Sequence, residues 1–178
     1  MYELERPPHL FYAALDDVQS PRIRQLHDYW RSKCSDVALP PRSAIEPADI
    51  RPLLPHLILT ELTPEPFRIV YRLVGTAVAK WHKDDFTGRD HESVESLAES
   101  GIADSYRRVV ATAAPVFGRT GLYAGDQSWI VFEYAIFPLS DDGVTINKCL
   151  AIESADQPEV QVRLDSAQTA DLAAPPTH

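Results

Sequence analysis

One run of the chain, Ser128–Leu139 (SWIVFEYAIFPL), restricts the fold more than any other. Its alternate residues are Ile130, Phe132, Tyr134 and Ile136 on one side and Trp129, Val131, Ala135 and Phe137 on the other. Period two marks a strand, and both faces of this one are apolar. Such a strand has to be covered twice, because one bare face would stand as an apolar patch in water. Glu133 interrupts the run; it is read as facing outwards and pairing across strands with Arg68 or Arg72, the alternative being a buried acid with a raised pKa.

The second cover is available near the start of the chain. A helix is predicted over Pro21–Lys33, with Ser20 as its cap and Pro21 at its first position. Ile23, Leu26, Trp30 and Cys34 form one stripe along it. The helix is expected to pack on the outer face of the sheet, either its own or that of a second chain. In a symmetric pair one patch serves both subunits. Ile23, Leu26, Trp30, Trp129, Val131 and Phe137 are therefore the candidate partner interface, with a homodimer as the expected assembly.

The remaining elements follow in order. Glu46-Pro47 opens a short helix limited by Pro52 and Pro55. Leu57–Leu62 and Phe67–Val74 are strands joined by a short turn, which makes them an antiparallel hairpin. In the second, Phe67, Ile69, Tyr71 and Leu73 share a face. Gly75 lets the chain leave that strand sharply, and Thr76–Lys83 is short and helix-compatible. A longer helix is expected over about Ser93–Ala113, weakened in the middle by Gly101. Strands at Pro115–Tyr123, Ser128–Leu139 and Val144–Ile152 complete the body, the last two joined at a hairpin signal, Asp141-Asp142-Gly143. Strands in runs with helices grouped between them indicate an α+β fold with five antiparallel strands. The expected organisation is an N-terminal extension over 1–19, one domain over 20–155 and a loosely ordered tail over 156–178.

Composition removes several function classes. The net charge of −9 argues against a nucleic-acid partner. No run is long and apolar enough to insert in a membrane, and the start lacks the pattern of a secretory signal, so a cytoplasmic protein is expected. Cys34 and Cys149 are isolated, form no CxxC pair, and are read as reduced thiols with a disulfide left open. None of the six histidines shows metal-ligand spacing. Ser128 and Ser140 lack a nucleophile-elbow setting, and Gly118–Gly125 does not match a phosphate loop.

The runs LPPRSAIEPADIRPLLPHLILTEL (Leu39–Leu62), FRIVYRLVGTAV (Phe67–Val78), FTGRD (Phe86–Asp90) and FPLSDDG (Phe137–Gly143), in this order, resemble a bacterial PAS-like subfamily of short, often single-domain signalling and regulatory proteins. The resemblance covers about residues 20–153 and departs from the subfamily at WHKDDF (Trp81–Phe86). It implies a five-stranded antiparallel sheet with helices cupped over one face. It also implies a cup that holds a small ligand, or a sheet and N-terminal helix that contact partners; the cup is expected to be filled by its own side chains. If a ligand binds, Tyr71, Trp81, Tyr106, Phe132 and Tyr134 are expected to line its site. His82 and His91 lie where some PAS sensors hold haem, yet neither haem nor flavin is expected, and no metal. The implied function is non-enzymatic: a sensory or regulatory domain in bacterial signalling, acting through a small molecule or a signalling partner protein. The alternative is a small cup-shaped hydrolase or isomerase using a buried acid or Tyr.

Overall fold

A computed structural model of the chain describes residues 6–36, 38–98, 100–125 and 128–160. In chain order these form β1 (Leu10–Phe11), α1 (Pro21–Lys33), a kinked 3₁₀ stretch (Pro47–His56), β2 (Leu57–Pro64), β3 (Phe67–Val74), α2 (Thr76–His82), α3 (Glu95–Ala98), α4 (Ile102–Thr112), β4 (Val116–Gly125), β5 (Ser128–Leu139) and β6 (Lys148–Val160). The strands make one antiparallel sheet in the order β1-β4-β5-β6-β2-β3. The α+β architecture is as expected, but the sheet has six strands rather than five. The additional one, β1, comes from the N-terminal extension, where Leu10 pairs with Arg119 and Phe11 with Gly118. Two residues are too few to show an alternation, so the sequence pattern cannot reveal it. β6 runs on past residue 155, and the tail beyond Val160 lies outside the described residues.

Both faces of β5 are buried, as its sequence demands. Phe132, Tyr134 and Ile136 belong to an inner core with α2, α3 and α4; Ala135, Phe137 and Leu139 belong to an outer core with α1 and the 3₁₀ stretch. Helix α1 supplies Ile23, Leu26 and Trp30 to the outer core. The Trp30 Nε1–H donates to the Pro138 carbonyl at 2.9 Å, which fixes the helix over β5. This corrects the expected interface. Ile23, Leu26, Trp30, Val131 and Phe137 are all buried within the chain itself and offer no surface to a second copy. Only Trp129 of that set stays part-exposed; it lies 5.4 Å from Tyr123, and the Arg6 guanidinium sits over its ring.

Glu133 faces outwards, but its partners are not Arg68 or Arg72. Its carboxylate accepts the Ser20 N–H at 2.6 Å, the Gln19 N–H at 3.0 Å and the Tyr12 hydroxyl at 2.8 Å, and so ties the start of α1 to the sheet. Strands β6 and β2 separate β5 from β3, so the two arginines are out of reach. Arg68 pairs with Asp90 at 2.7 Å and Arg72 with Glu61 at 2.8 Å.

Three local departures have clear causes. A bulge shifts the β2–β3 register between Leu59/Leu73 and Thr60/Tyr71. It turns Leu73 out of the Ile69–Tyr71 face, leaving it 46% exposed, and buries Val74. Gly101, at φ +77°, breaks the expected long helix between α3 and α4, and Val94, in extended conformation, separates α3 from a 3₁₀ turn at His91–Ser93. The connection after β5 spans eight residues, because Asp142 accepts the N–H groups of Val144 and Thr145 and holds a wider loop than a two-residue hairpin.

Gly75 is needed for a reason other than the one its sequence context suggests. Its backbone, at φ −66° and ψ 151°, suits any residue. A Cβ there would overlap the Pro55 carbonyl, however, because the 3₁₀ stretch crosses the strand exit backbone against backbone. Gly75→Ala is expected to cost about 1–3 kcal/mol in a urea titration through overpacking. Trp30→Ala is expected to cost about 3–5 kcal/mol. Leu26→Asp with Trp30→Asp is expected to unfold the chain rather than dissociate a folded one, seen as loss of near- and far-UV circular dichroism at every protein concentration.

Candidate functional site

The inner face of the sheet and helices α2–α4 form a cup whose filling is almost complete. Tyr71 from β3, Phe132 and Tyr134 from β5 and Tyr106 from α4 meet there with Val78, Phe86, Leu97 and Val109. A void of about 10 Å³ remains, bordered by Tyr71, Tyr106, Tyr134 and Glu153 among others. It has room for at most one water molecule.

The polar groups around that void are held from behind. The Tyr71 hydroxyl lies 2.7 Å from His91 Nδ1. The Glu153 carboxylate lies 2.9 Å from His82 Nε2. The Tyr134 hydroxyl lies 2.5 Å from His9 Nε2 and 2.9 Å from Ser105 Oγ. Local structure explains each placement. Glu153 follows Cys149 and Ala151 at period two, so β6 points it into the cup. His82 is the last residue of α2, which ends at Lys83 in the left-handed conformation, and its ring packs on Phe86 at 5.3 Å. His91 sits in a 3₁₀ turn capped by Asp90, whose carboxylate accepts the Glu92 N–H.

Burial and pairing push these groups apart. Burial alone would depress His82, but the charge and hydrogen bond of Glu153, with Asp84 adding, outweigh it and hold the imidazole above the usual histidine value. His91 and His56 are held below it, chiefly by burial. Burial raises the hydroxyls as well, Tyr134 to about 12 and Tyr71 well above its ordinary value. Cys149 and Cys34 are free thiols; burial raises both, and Cys149 lies in the inner core.

A second cavity opens at the surface. It is a groove of about 340 Å³ beside the edge of β3 and the start of α4, lined in part by Phe67, Ile69, His91 and Glu92. Its two arginines are each closed by a carboxylate, Arg68 by Asp90 at 2.7 Å and Arg107 by Asp104 at 2.8 Å. His91 borders this groove and bonds Tyr71, which borders the void, so one hydrogen bond links surface to interior.

Two chemical uses of the site can be weighed directly. Ser96 Oγ lies 3.2 Å from His82 Nδ1, so Ser96, His82 and Glu153 lie in the order of a hydroxyl, a base and an orienting acid. The His82 side chain is fully buried, and Ser96 lines neither the void nor the groove. A metal site would need several converging ligands. Among the described residues no group of three or more His, Cys, Asp or Glu could hold one.

A family model described as a PAS domain matches residues 18–152. The chain belongs to the PAS-domain family. A comparison with curated proteins finds no match. Membership points to a sensory or regulatory role, since PAS domains are in general non-enzymatic sensory modules and often mediate protein interactions. Of the residues expected to line a ligand site in this PAS domain, Tyr71, Tyr106 and Tyr134 border the void and Phe132 packs in the same inner core. Trp81 is only partly buried and lies 5.4 Å from His56 at the rim. Glu153, Ser105 and His9 escaped the sequence reading, as did the pairing of His82 and His91 with interior groups. Glu153 was accessible in principle, through its alternation with Cys149 and Ala151.

The histidines of the PAS domain give a direct check. In an NMR titration His82 is expected to deprotonate above about pH 6.5, the ordinary value, and His56 and His91 below it. Glu153→Gln is expected to move the His82 midpoint down while leaving His91 in place. Because folding raises the His82 pKa, the stability from this pair is fully present below about pH 6.5 and lost as pH rises through the folded value.

Proposed function

We propose that this chain is a non-enzymatic sensory and regulatory PAS domain of bacterial cytoplasmic signalling, with its polar interior as the input and contact with a signalling protein as the output. The observation that carries this reading is the set of buried polar groups around the void, Tyr71, Tyr134 and Glu153, each backed by a histidine. Burying a carboxylate and an imidazole is costly, and an apolar filling of the same volume is often more stable. A domain that served only as a scaffold would gain by losing them. They support recognition of a small polar molecule, admitted when the side chains around the void give way, and the His91–Tyr71 bond offers a route by which the surface groove senses the change. Output through a partner is supported by family membership, since PAS domains often mediate protein interactions. The outer face of the sheet is covered by α1, so the partner is met elsewhere.

Native mass spectrometry of the purified chain is expected to show a small molecule carried with the protein, together with a melting temperature that rises when that molecule is added back. A bare chain in every preparation, with no stabilisation by any member of a small-molecule panel, would remove the small-molecule input. The Ser96–His82–Glu153 alignment favours one competing reading, an acyl-transferring enzyme. A fluorophosphonate probe separates the two: Ser96 is expected to stay unlabelled, and covalent labelling there would establish a nucleophile and overturn the non-enzymatic reading.

A further inference from the structure

The segment Arg6–Tyr12 lies as a strap along the free edge of β4, outside the span that matches the PAS family. Its backbone is held by the short β1 pairing and by the Tyr12 N–H donating to the Phe117 carbonyl at 2.9 Å. The sheet meets it with glycines. A Cβ on Gly118 would come within 2.6 Å of the Tyr134 hydroxyl and 2.5 Å of the Leu10 carbonyl, and one on Gly121 within 2.9 Å of the Pro7 ring. Gly101, at the start of α4, leaves room in the same way: a Cβ there would overlap the His9 ring. The result is a slot, floored by Tyr134 and Ser105 and walled by Gly101, in which His9 is the seated ring.

The chemistry of the slot is specific. Ser105 and Tyr134 form a buried hydroxyl pair at 2.9 Å, and Tyr134 turns its remaining hydrogen-bonding capacity to His9 Nε2 at 2.5 Å. Burial holds His9 below the usual histidine value, with Arg6 acting in the same sense and Asp104 opposing. A neutral ring with Tyr134 donating to its bare nitrogen fits that balance. Tyr134 also borders the interior void, so whatever sits in the slot touches the inner polar set. The strap's outer side chains are part-exposed, Leu10 at 43% and Phe11 at 39%, while its ends are held by Arg6 over the Trp129 ring and by the Tyr12 hydroxyl donating to Glu133 at 2.8 Å.

We propose that His9 is an exchangeable internal occupant of a site formed by Gly101, Ser105, Gly118 and Tyr134, and that the external ligand of this site is a small planar nitrogen heterocycle presenting one unprotonated ring nitrogen to Tyr134. The strap competes with that ligand from within the chain. Binding of the heterocycle frees residues 6–12 and bares the β4 edge, which converts a chemical input into a change of surface. This names a ligand class for the small-molecule input proposed above and rests on it.

The test empties the slot and refills it. His9→Gly in the full chain is expected to lower the melting temperature and to speed amide exchange along Gly118–Gly121. Free imidazole is expected to restore the melting temperature saturably and to bind the variant more tightly than the wild type, where the strap occupies the site. Pyrrole, a ring of the same shape with no acceptor nitrogen, is expected to fail. Adding Tyr134→Phe to His9→Gly is expected to weaken imidazole binding by about tenfold, the effect of one hydrogen bond. Equal rescue by pyrrole and imidazole, or no binding of imidazole, overturns the proposal. Should His9→Gly not fold, imidazole is titrated into the wild type and the His9 ring resonance followed. A saturable shift towards a solvent-exposed histidine supports the site, and an unchanged resonance overturns it. Imidazole binding by a chain that purifies bare would leave the slot standing and remove only the reading of a bound ligand at purification.

Discussion

Strand β5 lies inside the sheet with Phe132, Tyr134 and Ile136 buried on one side and Ala135, Phe137 and Leu139 buried on the other. Everything else answers to this two-sided burial. The inner side chains require α2–α4 as a roof, and the outer ones require α1 and the 3₁₀ stretch as a floor. Fully burying each large side chain is worth about 1.5–3 kcal/mol, so neither layer is optional for a domain whose net stability is about 5–15 kcal/mol. The floor is also tied at its edge. Glu133, the one carboxylate in the run, takes the N–H groups that lead into α1, in the position where a helix start favours negative charge.

Within the roofed side, polar groups are concentrated where a purely structural core would avoid them. Glu153 and His82 meet at 2.9 Å with almost no exposure, and Tyr71 and His91 repeat the pattern at 2.7 Å. Each group satisfies the other, which limits the loss that an isolated buried charge or hydroxyl would impose. Satisfied networks of this kind favour one arrangement of their surroundings, and shifting any one member disturbs the rest. A cup filled in this way is rigid at rest and has a small number of defined ways to yield.

The sequence was most legible where a single period governed. Helix α1 and strand β3 were read to the residue, and the need for a second cover followed from β5 alone. The four aromatic residues placed in the cup, Tyr71, Tyr106, Phe132 and Tyr134, share a face with apolar neighbours at the period of their elements, Tyr71 with Ile69, Tyr134 with Phe132 and Ile136, and Tyr106 with Ile102 and Val109. Legibility failed where a distant contact decided the outcome. Leu73 was lost to a bulge, and Glu133 to partners more than a hundred residues away. Gly75 was correctly singled out for the wrong cause, since only the folded chain brings Pro55 against it. The histidines stayed invisible for the same reason. His82 and Glu153 are separated by seventy-one positions, and no local pattern announces that they will meet.

The place of β6 in the sheet has a consequence for how the molecule is made. β2 and β3 form one hairpin and β4 and β5 another, and β6 is the strand that pairs with both β2 and β5. During synthesis the two hairpins therefore emerge with nothing to join their edges until about Ile152 has left the ribosome. Until then the nascent chain presents unpaired edges, that of β2 from early in synthesis and that of β5 only over the short interval between Leu139 and β6, the kind of surface that invites association with other chains. The last strand is the seam of the sheet. A chain halted before it would hold both hairpins and neither continuous core.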